Sequence, residues 1–135
     1  MSALHGLTVA GFPNLFMLVG PNTGLGHTSI VFMIEAQVQY LVDALRQMDA
    51  RGIGAIEPRP EMQRAYNERI QRRLAGTVWN AGGCASWYLD ERGRNTTLWP
   101  TFTFRFRRQL ERCDLSEYVV HRRPVRHPAP VEAAV

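Results

Sequence analysis

The residues best suited to chemistry lie in one run, Gly20-Pro21-Asn22-Thr23-Gly24-Leu25-Gly26-His27-Thr28. A short apolar stretch precedes it and a long helical pattern follows. The first amides of a helix have no backbone partner and carry partial positive charge. Glycines let a ligand come close to the backbone that presents those amides. No acidic residue occurs before Glu35, so sequence leaves this positive pole uncompensated. An electronegative ligand atom, for instance a phosphate oxygen, suits it. A glycine-rich connection that only packs against the preceding strand accounts for the same residues. Gly24-x-Gly26-x-x-Ser29 misses the GxGxxG fingerprint by one residue type. A dinucleotide fold also wants a tight loop and an acid about 20 residues beyond it. Pro21-Asn22-Thr23 lengthens the loop and Glu57 lies too far along, so a first-unit dinucleotide site is not expected here.

Periodicity predicts the elements that hold this loop. Residues 15–19 (Leu-Phe-Met-Leu-Val), between Pro13-Asn14 and Gly20-Pro21, are too few for a helix. They read as a strand buried on both faces, covered by helices. A helix over 28–50 puts Ile34, Val38, Leu41, Leu45 and Met48 inward, with Glu35, Gln39, Asp43 and Arg46 opposite. Gly52 and Gly54 end it. A short strand over 53–57 follows. A second helix over 61–74 starts after Pro60, with Met62, Ala65, Tyr66, Ile70 and Leu74 inward. Residues 86–89 and 96–99, around Asp90 to Asn95, predict a hairpin. Over 101–112 both periods occur; helix is favoured because Pro100 suits a first turn, placing Phe102, Phe106 and Leu110 on one face. Residues 1–57, 58–120 and a loose tail, 121–135, are the expected divisions.

The chain has 135 residues, 45% hydrophobic and 21% charged, a globular composition with room for one small domain. If it was cut from something larger, part of its apolar surface should lack cover. The net charge is +4 and all 16 basic residues are arginine. Cationic grooves bind nucleic acid by releasing counterions, but residues 1–34 carry no charged side chain. Arg72-Arg73, Arg107-Arg108 and Arg122-Arg123 are doublets separated by acids. Solvated faces are expected, and nucleic-acid binding is not. Two cysteines without a CxxC spacing predict reduced thiols and no metal site. The apolar start lacks a basic flank, so it does not read as a signal peptide. No apolar run reaches the roughly 20 residues of a membrane span. A cytoplasmic chain with no membrane segment is the expectation.

The run from Gly11 to Gln37, GFPNLFMLVGPNTGLGHTSIVFMIEAQ, resembles the C-terminal flavin-domain segment of Baeyer–Villiger and related flavin-containing monooxygenases. Thr77-Val78-Trp79, then Gly83-Cys84-Ala85-Ser86-Trp87-Tyr88, then Gly93-Arg94-Asn95 through Leu98-Trp99-Pro100 resemble the same family's closing segment. The likeness runs in one order over about 6–118. It implies an α/β fold class: the C-terminal fragment of a Rossmann-like FAD-binding domain (strand, glycine loop, long helix) with a mixed helix and hairpin segment closing it. It also implies an enzyme using FAD and NADPH, each on a dinucleotide fold. There, reduced flavin reacts with oxygen, and an oxygen atom enters beside a ketone carbonyl or adds to a heteroatom.

On that resemblance Gly20, Pro21, Asn22, Thr23, Gly24, Leu25, Gly26, His27 and Thr28 form a partial FAD site. Helix amides would face the pyrimidine side of the ring, with Asn22, Thr23 and His27 as the nearest polar side chains. The glycine motif for the FAD adenosine half is absent, as is the NADPH motif and the His- and Trp-containing signature between them. The family's active-site arginine lies upstream of the match, so no catalytic residue is assigned. The implied partner is a missing N-terminal portion, or a second copy, and the whole enzyme would take a small organic ketone. This chain is expected to be inactive alone. The alternative is a non-catalytic binding or oligomerisation module derived from that fold. Elsewhere, His5, His121 and His127 read as solvated and Cys84 as structural. Trp79, Trp87, Tyr88 and Trp99 read as packing, and Glu35 as bonded to a neighbouring segment.

Overall fold

The computed structural model describes residues 1–25, 29–81 and 88–123. Residue types rich in helix formers carry α1 over Ile30–Ala50. It stops where Gly52 takes φ +64° and donates its N–H to the Asp49 carbonyl, a left-handed closure that costs glycine little. The inner face is Met33, Ala36, Gln37, Tyr40, Ala44 and Met48. The expected stripe is therefore displaced. Of its five residues only Met48 is buried, and Val38 and Leu45 are exposed. The helix is apolar on two sides, and the side with the larger aliphatic residues is not the one this chain covers.

β1 (Ile53–Pro58) pairs antiparallel with β2 (Tyr118–Arg122), Ile56 opposite Val120, with a register irregularity between Ile53 and Ala55. β2 reaches through His121 and Arg122, and the Arg123 N–H bonds the Gly52 carbonyl. The expected tail thus begins inside a strand; residues 124–135 lie outside the described set. Between the strands, α2 (Pro60–Leu74) opens on proline and Glu61 and closes on Arg72 and Arg73, charges that complement its dipole. Tyr66, Ile70 and Leu74 face inward as expected, but Ala65 is exposed. α3 (Val78–Ala81) is one turn. α4 (Thr103–Gln109) falls inside the predicted helix. Phe106 and Leu110 are buried while Phe102 is exposed, because it sits before the first turn.

Two expectations fail for want of partners. Residues 15–19 form no strand, and Leu15, Leu18 and Val19 are exposed. A strand needs a ladder neighbour, and among the described residues this run makes only one such backbone bond, Met17 N–H to Leu7 O at 2.8 Å. The hairpin is reduced to one bridge, Leu89 to Asn95, around an Asp90 turn. Residues 86 and 87 lie outside the described set. The second arm turns elsewhere: Leu98 bridges Gly24 in parallel.

One core joins the two ends of the chain. Leu4 to Leu7 make a tight turn closed by Leu7 N–H to Leu4 O at 2.9 Å. His5 and Gly6 both hold positive φ, as a primed turn requires. His5, expected in solvent, is buried. Its Nε2–H donates to Glu117 Oε2 at 2.8 Å, and Gln109 Nε2 donates to its Nδ1 at 2.9 Å. Tyr118 OH bonds Thr8 Oγ1 at 3.3 Å and Tyr40 OH at 3.0 Å.

Burial raises the phenol pKa of Tyr40 and Tyr118 and pushes Tyr66 up to about 12. Unfolded, these groups ionise near 10. The neutral phenols therefore stabilise the fold fully below pH 10, and that contribution disappears as pH climbs through the raised folded values. Alkaline titration should show Tyr40, Tyr66 and Tyr118 ionising together with loss of helical circular dichroism. Ionisation of all three near pH 10 in a still-folded chain would contradict this.

Candidate functional site

The glycine loop is laced to the segment that carries the second set of family-like residues. Asn22 sits at φ +59°, a conformation asparagine tolerates better than most residues. Its buried side chain donates from Nδ2 to the Asn95 carbonyl at 2.7 Å and the Leu98 carbonyl at 3.1 Å. Its own N–H bonds Thr96 O at 2.9 Å. Gly24 donates to Thr97 O and accepts from Trp99 N–H, both at 2.8 Å. Thr23 Oγ1 donates to Gly20 O at 2.7 Å and folds the loop back on itself.

Asn95 organises the other side. Its Oδ1 accepts from Thr97 and Leu98 N–H, and Gln71 Nε2 donates to its carbonyl at 2.8 Å. Gln71 is the last of three amides spaced by four on α2. Asn67 Nδ2 donates to Ala3 O at 3.0 Å, and Gln63 Oε1 accepts from Ala10 N–H at 2.8 Å.

Asn22 and Thr23 therefore do not offer their side chains outward. Both are buried, with their donors committed to backbone oxygens. Two of the glycines answer to the chain itself. A Cβ on Gly20 would collide with the Gly6 carbonyl, and one on Gly24 would lie 2.8 Å from Thr97 O. Leu25 packs half-buried against the core. Gly26, His27 and Thr28 lie outside the described residues.

What remains for a ligand is an open groove of about 500 Å³, lined by Met17, Gly20, Pro21, Gly24, Thr96 and Thr97 among others. None of its lining side chains is charged. Beyond it, α1 starts with no acid in its first turn, and Ser29 makes no side-chain cap bond. Such an uncharged groove fits the edge of a flat, largely apolar ring.

The other singled-out residues are peripheral to the groove. Trp99 stacks edge-on with Phe106 at 5.0 Å, and Trp79 with Tyr88 at 6.0 Å. Trp87, Cys84 and His127 lie outside the described residues. Glu35, expected to bond a neighbour, is exposed, and so are all three arginine doublets. Burial pushes the Cys113 thiol up to about 11. Gln37, Asn95, Gln63, Asn67 and Gln71 were not singled out from sequence. The only signal for the last three was their spacing of four along a polar helix face. Among the described residues no helix is long and apolar enough to cross a membrane.

No protein-family model matches the chain. A Baeyer–Villiger monooxygenase of Streptomyces coelicolor is 53% identical over 133 residues, which is 98% of this chain and 25% of that protein. Another, of Pseudomonas aeruginosa, is 54% identical over 117 residues, 86% of this chain and 22% of that protein. Among solved structures, an oxidised steroid monooxygenase bound to NADP matches with TM-score 0.74 at 23% identity. That match covers 90% of this chain and 23% of the other. Cyclohexanone monooxygenase from Rhodococcus, bound to NADP+, matches with TM-score 0.72 at 24% identity, covering 90% of this chain and 24% of that one. Such structural likeness speaks to fold. The chain spans about a quarter of the length of the curated relatives it matches. In sequence and in fold it is a C-terminal segment of the Baeyer–Villiger monooxygenase family.

Proposed function

We propose that the chain supplies the C-terminal part of an FAD- and NADPH-dependent Baeyer–Villiger monooxygenase acting on a small organic ketone, and that it is inactive without the rest. One observation carries this reading: apolar surface flanks the glycine loop without cover. Phe12 is 59% exposed and Leu18 47%; along α1, Val31 is 56% and Leu45 50% exposed, with Val38 and Val42 between them. Residues 31, 38, 42 and 45 fall on one side of a helix, the pattern of a packing face. Exposed patches of this kind mark interaction surfaces, and here the remaining flavin-domain polypeptide is the occupant. Residues 1–57 are read as the end of that domain, and 58–120 as the segment closing it.

FAD, when bound, would supply the oxygen chemistry. The chain's share is to present the main chain of Gly20, Pro21 and Gly24 to the ring. The pole of α1 favours negative charge there, through pre-organised dipoles that need no reorientation.

Mixing this chain with the N-terminal three quarters of the Streptomyces relative and FAD should give a yellow protein that oxidises NADPH. Two folded parts that retain no FAD together would overturn the reading. Val38→Arg should leave the isolated chain folded yet weaken that complex at least about tenfold, on the order of 1.4 kcal/mol. The evenly spaced α1 side also suits a pair of identical chains. Light scattering that finds a dimer which the N-terminal part cannot dissociate would favour the oligomerisation reading instead.

A further inference from the structure

The chain enters the glycine loop through a corner that a valine should avoid. Val19 holds φ +56°, the left-handed region in which a β-branched residue is an outlier. Its side chain is exposed, so the conformation does not serve to bury it. Strain of this kind persists where surrounding groups impose it, and it concentrates at functional positions.

The imposing group is Gln37, fully buried on the inner face of α1. Its Oε1 accepts the Val19 N–H at 2.9 Å, and its Nε2 donates to the Gly6 carbonyl at 3.0 Å. Gly6 is the second of two left-handed residues in the first turn, and Gly20 rests directly on its carbonyl. A single amide thus ties the long helix to both backbones that form the corner. Only a side chain with a donor and an acceptor at one end does this. Glutamate lacks the donor, and leucine lacks both.

We propose that Gln37 is a positioning residue: it holds Val19 left-handed and so fixes where the Gly20–Gly24 main chain meets the flavin. This rests on the monooxygenase reading above. Glycine at position 19 adopts the same φ freely, so Val19→Gly should make the corner independent of Gln37.

Two measurements test it. In the isolated chain, Gln37→Leu should speed hydrogen exchange at the Asn22 and Gly24 amides by about a hundredfold, with β1 and β2 amides unchanged. In the FAD complex formed with the N-terminal part of the Streptomyces relative, the same variant should weaken FAD binding at least about tenfold and shift the flavin absorption bands. Gln37→Leu with Val19→Gly should restore both to near wild type. A role in packing alone would not be rescued this way, because Val19→Gly adds no volume. Val19→Gly by itself should keep Asn22 and Gly24 protected, which tests the corner even if Gln37→Leu fails to fold. Unchanged exchange in Gln37→Leu, failed rescue, or lost protection in Val19→Gly each overturns the proposal. If wild type binds FAD and Gln37→Leu binds it equally well, the inference alone falls. If wild type binds none, the monooxygenase reading falls with it.

Discussion

Asn22→Ala is expected to remove about 3–5 kcal/mol of stability, most of what a small domain has. The Leu98 carbonyl loses its donor, at roughly 1–3 kcal/mol, and the Asn95 carbonyl loses one of two, Gln71 remaining, at about 1 kcal/mol. A left-handed alanine adds about 1 kcal/mol more. Asn22→Gly keeps the conformation and should be better than alanine by that last amount. Asn22→Asp should be worse than glycine, since a buried carboxylate would face two carbonyl oxygens. Urea unfolding followed by circular dichroism measures the series. Alanine and glycine variants of equal stability would show that the left-handed conformation costs little, and an alanine cost below about 1 kcal/mol would show that the bonds matter little.

Gly6→Ala should be comparably damaging for a different reason. At φ +63° an added methyl is strained, and it would collide with the Thr23 methyl while standing 2.7 Å from the Pro21 carbonyl. Left-handed strain of about 1–2 kcal/mol and overpacking of about 1–3 kcal/mol together give a loss of roughly 2–5 kcal/mol. Thr23→Ser removes the methyl but leaves the carbonyl in place. In a double-mutant cycle it should return about 1 kcal/mol of the Gly6→Ala cost. No coupling between the two positions would place Gly6 and Thr23 apart in solution.

Much of the architecture was legible because it is periodic. α1, α2 and α4 and the strand β1 lie where apolar spacing and breakers put them. The inner face of α1 was misread because hydrophobicity ranks Val38 and Leu45 above Ala36, Gln37 and Ala44. Only packing decides which of two apolar sides this chain covers. Residues 15–19 carry a strand-like composition, yet a ladder is a property of two segments. β2 went unnoticed because Tyr-Val-Val-His-Arg is short and half polar. The glycine loop was found, but its internal wiring was not. Whether Asn22 faces a ligand or crosses to Asn95 depends on a neighbour 73 residues away, and no local pattern encodes that. His5 escaped for the same reason, its partner being Glu117.

The pairing of His5 with Glu117 and of Thr8 with Tyr118 spans 112 and 110 positions. Contacts of such separation must repay a loop-closure entropy that local contacts do not face, and they slow folding. During synthesis the opening turn emerges long before its partners do. It must wait for β2 to leave the ribosome, so deleting residues 1–8 or residues 117–135 removes the same clasp.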